Sequence, residues 1–275
     1  MSSDKILNSY RTNGFYIWKS FYDSEYCIEL KKYLSFLPAK LTIPYTNIPW
    51  GYGNLLRQGP FKNITEDARI NQICKDVFSD SYIFNHLYVH NKVKWIGKGI
   101  EWHQELFNID TYAPGYDSEK DWEKFIQFYV PLDHQNLKNG CIKVFPGSHK
   151  LGILDHEDVM DENFGHKRRV TYEVMNQLQE KCGVKNCILN PGDLLIFNHR
   201  LVHGSPSNNS PYDRKAIVLQ AREDSIVKND EVFQKEKKYR RNFVLEGLNN
   251  KLKEMNSQDL YNDFKVKKRK EDEDK

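Results

Sequence analysis

No stretch of this 275-residue chain reaches the about 18 consecutive apolar residues that a membrane-spanning helix needs. The segment from Met1 to Tyr10 is polar and lacks the apolar centre of a secretory leader. Cysteine is sparse and badly spaced for bridging. Cys27, Cys74, Cys141, Cys182 and Cys187 make an odd number with no CxxC pair. That pattern speaks against a disulfide framework or a zinc knuckle and for a reducing, cytoplasmic setting. A charge excess is missing too, with 41 basic residues against 38 acidic ones. General nucleic-acid and membrane-surface binders carry a basic surplus, so neither partner is expected. No internal repeat is visible, which leaves solenoids and propellers aside.

Aromatic residues, by contrast, are plentiful: 16 Tyr, 15 Phe and 5 Trp. They suit strand-rich architecture and large buried areas. A short strand is read at Gly14 to Trp18, followed by an amphipathic helix over 24–37 with Cys27, Leu30, Tyr33 and Leu34 at helical spacing. Residues 39–68, rich in Pro, Gly and Asn, read as a long irregular loop covering a site. Strand-like runs then dominate, at 81–95, 125–132, 141–145, 194–197 and 216–221. Turn signals separate them, among them Gly97-Lys98-Gly99, Asn139-Gly140, Pro146-Gly147-Ser148 and Pro191-Gly192-Asp193. Many short strands at this spacing predict a mainly β protein with flanking helices, its core a jelly-roll or cupin-like double sheet. A single domain is expected over 1–262, with its core at about 80–222 and a C-terminal helix at about 230–256. Residues 263–275, a basic cluster and then an acidic one, read as a disordered tail.

Among nine histidines, His103-Gln104-Glu105 is notable because residues two apart on a strand point to one face. His203 follows 98 residues after Glu105, beyond the apolar run that starts at Leu194. A strand-borne His-x-carboxylate with a distant second His has the make-up of the facial triad of non-haem Fe(II) oxygenases, which leaves metal positions open for a cosubstrate and O2. An H-x-E triplet also arises by chance, and the same donor types suit zinc. Arg214, eleven residues after His203, opens the next strand run, and its guanidinium could pair with a carboxylate or form an ordinary surface ion pair.

Four segments taken together resemble the phytanoyl-CoA dioxygenase family, ectoine-hydroxylase-like members included. They are NGFYIWKSFYDSEYCIELKKYL, GKGIEWHQE, NGCIKVFPGSHK and NPGDLLIFNHRLVHGSPSNNSPYDR, and they span about Asn13 to about Arg222. The resemblance implies a double-stranded β-helix, with Fe(II) as the metal and 2-oxoglutarate and O2 as cosubstrates, ascorbate as a stimulant. It implies His103, Glu105 and His203 as metal ligands and as the catalytic centre. It also implies Arg214 as the partner of the distal 2-oxoglutarate carboxylate. Lys92, eleven residues before His103, lies near a family lysine that approaches cosubstrate or substrate. The family pattern has aspartate where this chain has Glu105. A carboxylate ligand is thereby kept, in contrast to halogenases of this class, which replace it with a small residue to admit halide.

The reaction so implied is hydroxylation of an unactivated C–H bond with release of succinate and CO2. A cupin-like metal binder or a metalloenzyme without 2-oxoglutarate stays open as an alternative. Asn198 and Asp193 are candidates for orienting the histidines. Trp102, Gln104 and Phe107 flank the ligands, and Gln127 and Tyr129 lie on a strand expected to line the barrel. These five are the substrate-contact candidates, and core packing is their ordinary role. Residues 108–122 read as an insertion-like lid whose polar and aromatic character fits a small polar metabolite better than a fatty-acyl chain.

Overall fold

The structure, a computed structural model, describes residues 3–37, 41–42, 49–53, 55–78, 81–105, 121–158 and 168–226. The expected C-terminal helix at 230–256, the tail 263–275, Phe107 and nearly all of the expected lid lie outside the described residues. The chain opens with α1 (Ser3–Asn13), β1 (Phe15–Trp18), α2 (Ser24–Leu34), β2 (Leu41–Thr42), β3 (Pro49–Tyr52), α3 (Lys62–Glu66) and α4 (Ala68–Phe78). The strand-rich part holds β4 (Tyr82–Lys92), β5 (Ile100–His103), β6 (Phe125–Pro131), β7 (Lys143–Val144), β8 (His156–Asp158) and β9 (Arg168–Val170). It ends with α5 (Tyr172–Lys181), β10 (Lys185–Asn186), β11 (Leu194–Asn198), β12 (His203–Ser205) and β13 (Arg214–Glu223).

Two antiparallel sheets form the core. The larger has seven strands in the order β1-β11-β6-β13-β4-β3-β2, and the smaller has four in the order β10-β7-β12-β5. A separate ribbon pairs β8 with β9. Because side chains alternate along a strand, the large sheet has two chemically distinct faces. Its outer face carries Leu87, Val89, Ile126, Phe128, Val130, Ile217 and Leu219, which pack under Ile6, Leu30, Leu34 and Ile73 of the helices. Its inner face carries Tyr129, Leu195, Phe197, Ala216 and Val218, which meet Val144 of the small sheet and Ile142 just before β7. With both faces covered, every residue of β6 is buried. This is the double-stranded β-helix with flanking helices that the sequence led one to expect. No helix of the described residues is long and apolar enough to cross a membrane.

Several boundaries differ from expectation, most of them by a few residues at strand ends, as where β4 stops at Lys92 and β13 begins at Arg214. The segment 39–68 is not uniformly irregular. β2 and β3 extend the large sheet beside β4, and Leu55, Phe61 and Ile64 are buried in the helical core. Short elements crowded with Pro and Gly show too few residues for a period to be read. The helix expected over 24–37 stops at Leu34, where the Ser35 hydroxyl donates to the Lys32 carbonyl (2.7 Å). Pro38 disfavours helical backbone at Leu37 in any case. In the run 141–145 only Lys143 and Val144 pair as a strand, because Cys141 N–H turns back to the Asn136 carbonyl (2.9 Å).

The turn Pro191-Gly192-Asp193 ties β11 to the N-terminal segment. The Asp193 carboxylate accepts from Asn190 N–H (2.8 Å), Ser20 N–H (2.9 Å) and Lys19 Nζ (2.7 Å). Gly192 has φ of +83° and accepts at its carbonyl from Tyr22 N–H (2.8 Å). A Cβ there would strike the Tyr22 carbonyl. Gly192→Ala therefore combines left-handed strain with a backbone clash and is expected to destabilise the fold by about 2–4 kcal/mol. Thermal unfolding would show this as a fall in Tm of roughly 5–15 °C. An unchanged Tm would mean that the turn re-forms without the clash.

Candidate metal centre

His103 ends β5 and His203 begins β12, and the two face each other directly in the strand register. Their ring centroids lie 4.3 Å apart. Glu105 is not on the strand, as the two-residue spacing had implied, but in a bend just past its end. Its N–H donates to the His199 carbonyl (3.0 Å), which pins the bend to the loop before β12. From there Glu105 Oε1 lies 3.6 Å from His103 Nε2 and 3.4 Å from His203 Nε2. One ligand atom from each residue falls within 4.8 Å of the others, the compass of a single cation.

The tautomers follow from what each Nδ1 meets. His103 Nδ1 lies 2.6 Å from the Glu101 carbonyl and His203 Nδ1 lies 2.9 Å from the Leu201 carbonyl. A carbonyl only accepts, so Nδ1 carries the proton and Nε2 keeps its lone pair for the centre. Burial, with the neighbouring His203 ring, lowers the His103 pKa below the ordinary histidine value, which favours that neutral form. Two imidazoles and one carboxylate converging from one side match a 2-His-1-carboxylate metal site with open positions. Asn198 and Asp193, the expected orienting residues, do other work. Asn198 accepts from Arg200 N–H (2.9 Å) and donates to the Tyr10 hydroxyl (3.2 Å), while Asp193 holds the turn already described.

One end of the barrel interior is cationic. Arg214 and Lys92 are direct register partners, 2% and 6% exposed. Arg214 Nη1 donates to the Gly140 carbonyl (2.7 Å), while its Nε is buried without a hydrogen-bond partner among the described residues. Gly140 has φ of +74°, and a Cβ on it would run into the Pro206 carbonyl, so the carbonyl reaches Arg214 only from a glycine. Lys92 Nζ lies 2.6 Å from both Ser205 Oγ and the Pro206 carbonyl. Burial, and then the charge of Arg214, pull its pKa down to about 6. Two buried basic groups with an unsatisfied donor and no carboxylate ion-paired to either among the described residues form a fitting cradle for an anionic carboxylate.

The other predicted contacts divide. Trp102 packs at a tilt against Phe145 (ring centroids 4.5 Å apart) in an apolar cluster with Val170 and Leu178, away from the centre. Gln104 donates to the carbonyls of Arg200 (2.8 Å) and Gly152 (3.0 Å) and accepts from Leu154 N–H (3.0 Å), so its amide is fully used as a tie. Gln127 and Tyr129 do face the interior, where the Tyr129 hydroxyl accepts from Gln135 Nε2 (2.7 Å). Four interior residues escaped the sequence reading: His86, Tyr88, His90 and His199. The first three pack in sequence along β4, with ring centroids 5.3 and 4.7 Å apart. His199 stacks on Phe125 (4.6 Å). Burial lowers the pKa of His90 and of His199 to about 4. The alternation His86-x-Tyr88-x-His90-x-Lys92 was the available signal, a polar stripe on one face of a long strand.

Comparison with known proteins agrees with this geometry. The family profile described as Phytanoyl-CoA dioxygenase (PhyH) matches residues 10–216. Human peroxisomal phytanoyl-CoA dioxygenase is 29% identical over 89 residues, 32% of this chain and 25% of that protein. Ectoine dioxygenase of Sphingopyxis alaskensis is 21% identical over 164 residues, 57% of this chain and 51% of that protein. The chain thus spans about half the length, or less, of these curated relatives. Among solved structures, EctD from S. alaskensis with 2-oxoglutarate and 5-hydroxyectoine superposes with a TM-score of 0.65 at 18% identity, covering 81% of this chain and 76% of that one. The epimerase SnoN in complex with Fe3+, alpha ketoglutarate and nogalamycin RO gives 0.63 at 15% identity, covering 80% and 83%. A profile that runs from α1 into β13, and so takes in all three converging side chains and Arg214, places this chain in the phytanoyl-CoA dioxygenase family.

Proposed function

We propose that this protein is an Fe(II)- and 2-oxoglutarate-dependent dioxygenase that hydroxylates a C–H bond of a small polar molecule, releasing succinate and CO2. The observation that carries the reading is the convergence of His103, Glu105 and His203 inside a barrel whose far end holds buried Arg214 with an unsatisfied Nε. His103, Glu105 and His203 would hold the iron, and Arg214 with Lys92 would receive the distal carboxylate of 2-oxoglutarate. Bound there, iron with 2-oxoglutarate and O2 supplies the oxidising chemistry, one oxygen atom going to succinate and one to the substrate.

The chain's own contribution is placement. The Glu101 and Leu201 carbonyls fix both imidazole rings, and the His199 carbonyl fixes the Glu105 backbone. Phe197, edge-on to His203 (4.9 Å), and Val218 supply apolar surface on the inner face. Glu105 supplies a third protein ligand, which supports oxygen insertion over halogenation.

The direct test is succinate release from 2-oxoglutarate with Fe(II), O2 and ascorbate, together with stabilisation of the protein by metal and 2-oxoglutarate. Metal- and 2-oxoglutarate-dependent succinate is expected. No succinate across a broad panel of small polar compounds, with no stabilisation by either ligand, would sink the proposal.

Lys92 adds a pH signature. In the free protein its pKa of about 6 leaves it neutral near neutral pH. A carboxylate arriving beside Arg214 favours the ammonium and raises that pKa. Binding of 2-oxoglutarate should then take up a proton above about pH 6, and affinity should fall as pH rises through the window up to the raised pKa. Calorimetry near neutral pH in buffers of different ionisation enthalpy should show close to one proton taken up, and none in Lys92→Met. Buffer-independent heats in the wild type would show that Lys92 keeps one protonation state throughout.

A further inference from the structure

One row of paired residues crosses the inner face of the large sheet at the end away from Arg214. Phe197 of β11 lies opposite Gln127 of β6, Gln127 opposite Gln220 of β13, and Gln220 opposite His86 of β4. The β4 register shifts beside this row, and Asn85 there donates Nδ2 to Gln220 Oε1 (2.9 Å). Gln127 is 1% exposed, and its Oε1 has no hydrogen-bond partner among the described residues. Asn85 Oδ1 is buried in the same condition. The next inward residue of β13, Arg222, donates to the carbonyls of Glu223 and Ile226.

Position makes these amides more than ordinary core. Gln220 lies six positions along β13 from Arg214, roughly 20 Å of strand. The metal centre borders this row: Phe197 touches His203 at 4.9 Å, and Phe125, two residues before Gln127, stacks on His199, whose carbonyl holds Glu105. With the cosubstrate directed to the Arg214 end, the row flanks the three converging side chains from the opposite end of the inner face. An unpaired buried amide keeps its full desolvation cost until a partner arrives. An alkyl chain laid over it would leave that cost in place, whereas a group with both donor and acceptor would remove it. A glutamine amide presents both kinds of atom whichever way it is turned.

We propose that Gln127, Gln220 and Asn85 form the subsite that orients the substrate, and that they take a neutral carboxamide, lactam or hydroxyl group adjacent to the oxidised carbon. The assignment deepens the dioxygenase reading and rests on it for the direction of approach. The substrate class is then a small molecule bearing such a group, and a fatty-acyl chain is not accommodated at this row.

The probe is 2-pyrrolidinone, with cyclopentanone as a shape-matched ketone that lacks the N–H. Binding is followed through the side-chain amide NMR resonances of Gln127 and Gln220 in metal-free protein, assigned by their loss in Gln127→Met and Gln220→Met. Saturable binding of 2-pyrrolidinone is expected, weakened about five- to tenfold in Gln127→Met and by a similar factor for cyclopentanone on wild type. Melting temperature and 2-oxoglutarate affinity should stay at wild-type values in the variant. If Gln127→Met does not fold, Gln220→Met serves the same comparison. No saturable 2-pyrrolidinone binding, equal affinity for cyclopentanone, or unchanged affinity in the folded variant would overturn the subsite. Failure of the dioxygenase reading would look different: no succinate and no stabilisation by metal and 2-oxoglutarate, whatever 2-pyrrolidinone does.

Discussion

Replacing His203 with alanine is expected to abolish 2-oxoglutarate turnover and to lower Fe(II) affinity by well over the roughly 10–100-fold that loss of an outer-shell partner costs. His203 is one of three donors, and its Nε2 lies 3.4 Å from the carboxylate it would share the ion with. Two donors remain in the variant, His103 and Glu105, the latter in a bend, its N–H donating to the His199 carbonyl. Anaerobic titration with Fe(II), followed by calorimetry or by metal-dependent melting, would measure the loss. The fold should survive, since β12 keeps its backbone pairing to β5 and β7. His199→Ala is the informative companion. It removes a buried ring of the same type that stacks on Phe125 and is not one of the three converging residues, so metal binding should persist. Near-wild-type Fe(II) affinity in His203→Ala would remove this residue from the metal site.

Arg214→Ala should leave Fe(II) binding intact and raise the KM for 2-oxoglutarate by roughly 30-fold to several hundredfold. That range corresponds to losing about 2–4 kcal/mol of charge-assisted hydrogen bonding to a carboxylate. Arg214→Lys keeps the charge but not the planar fork, and it should recover only part of the loss. The comparison also separates Arg214 from Lys92, because the remaining lysine is already engaged by Ser205 and Pro206 (2.6 Å each). An unchanged KM in Arg214→Ala, with wild-type stability, would mean that the cosubstrate carboxylate is held elsewhere.

Much of the site could be read from residue order alone. The two histidines, the glutamate and Arg214 are recognisable because the segments that carry them, with the Pro191-Gly192-Asp193 turn, resemble one family in order. Three things could not be read. Glu105 is brought to the centre by a backbone bond to His199, a residue 94 positions away in the chain, not by strand alternation. Side chains near the ligands in sequence, Trp102 and Gln104, turn outward to pack and to tie loops, since neighbours on a strand face opposite ways. And β4, whose His86, Tyr88 and His90 line the interior, shows a polar stripe in its sequence, but nothing local marks that stripe as the inner face.

The sequence by itself determined the chemistry on offer: two imidazoles, a carboxylate and an arginine at spacings that match one family, on strands whose period and turns specify a double sheet. The tertiary structure alone decided which polar residues share the cavity. Pairing β11, β6, β13 and β4 side by side sets Gln127 against Gln220 and Arg214 against Lys92. Such neighbours are separated by about 90 to 120 residues of chain, so their proximity depends on strand register, which is fixed by burial of the opposite face rather than by anything local to them.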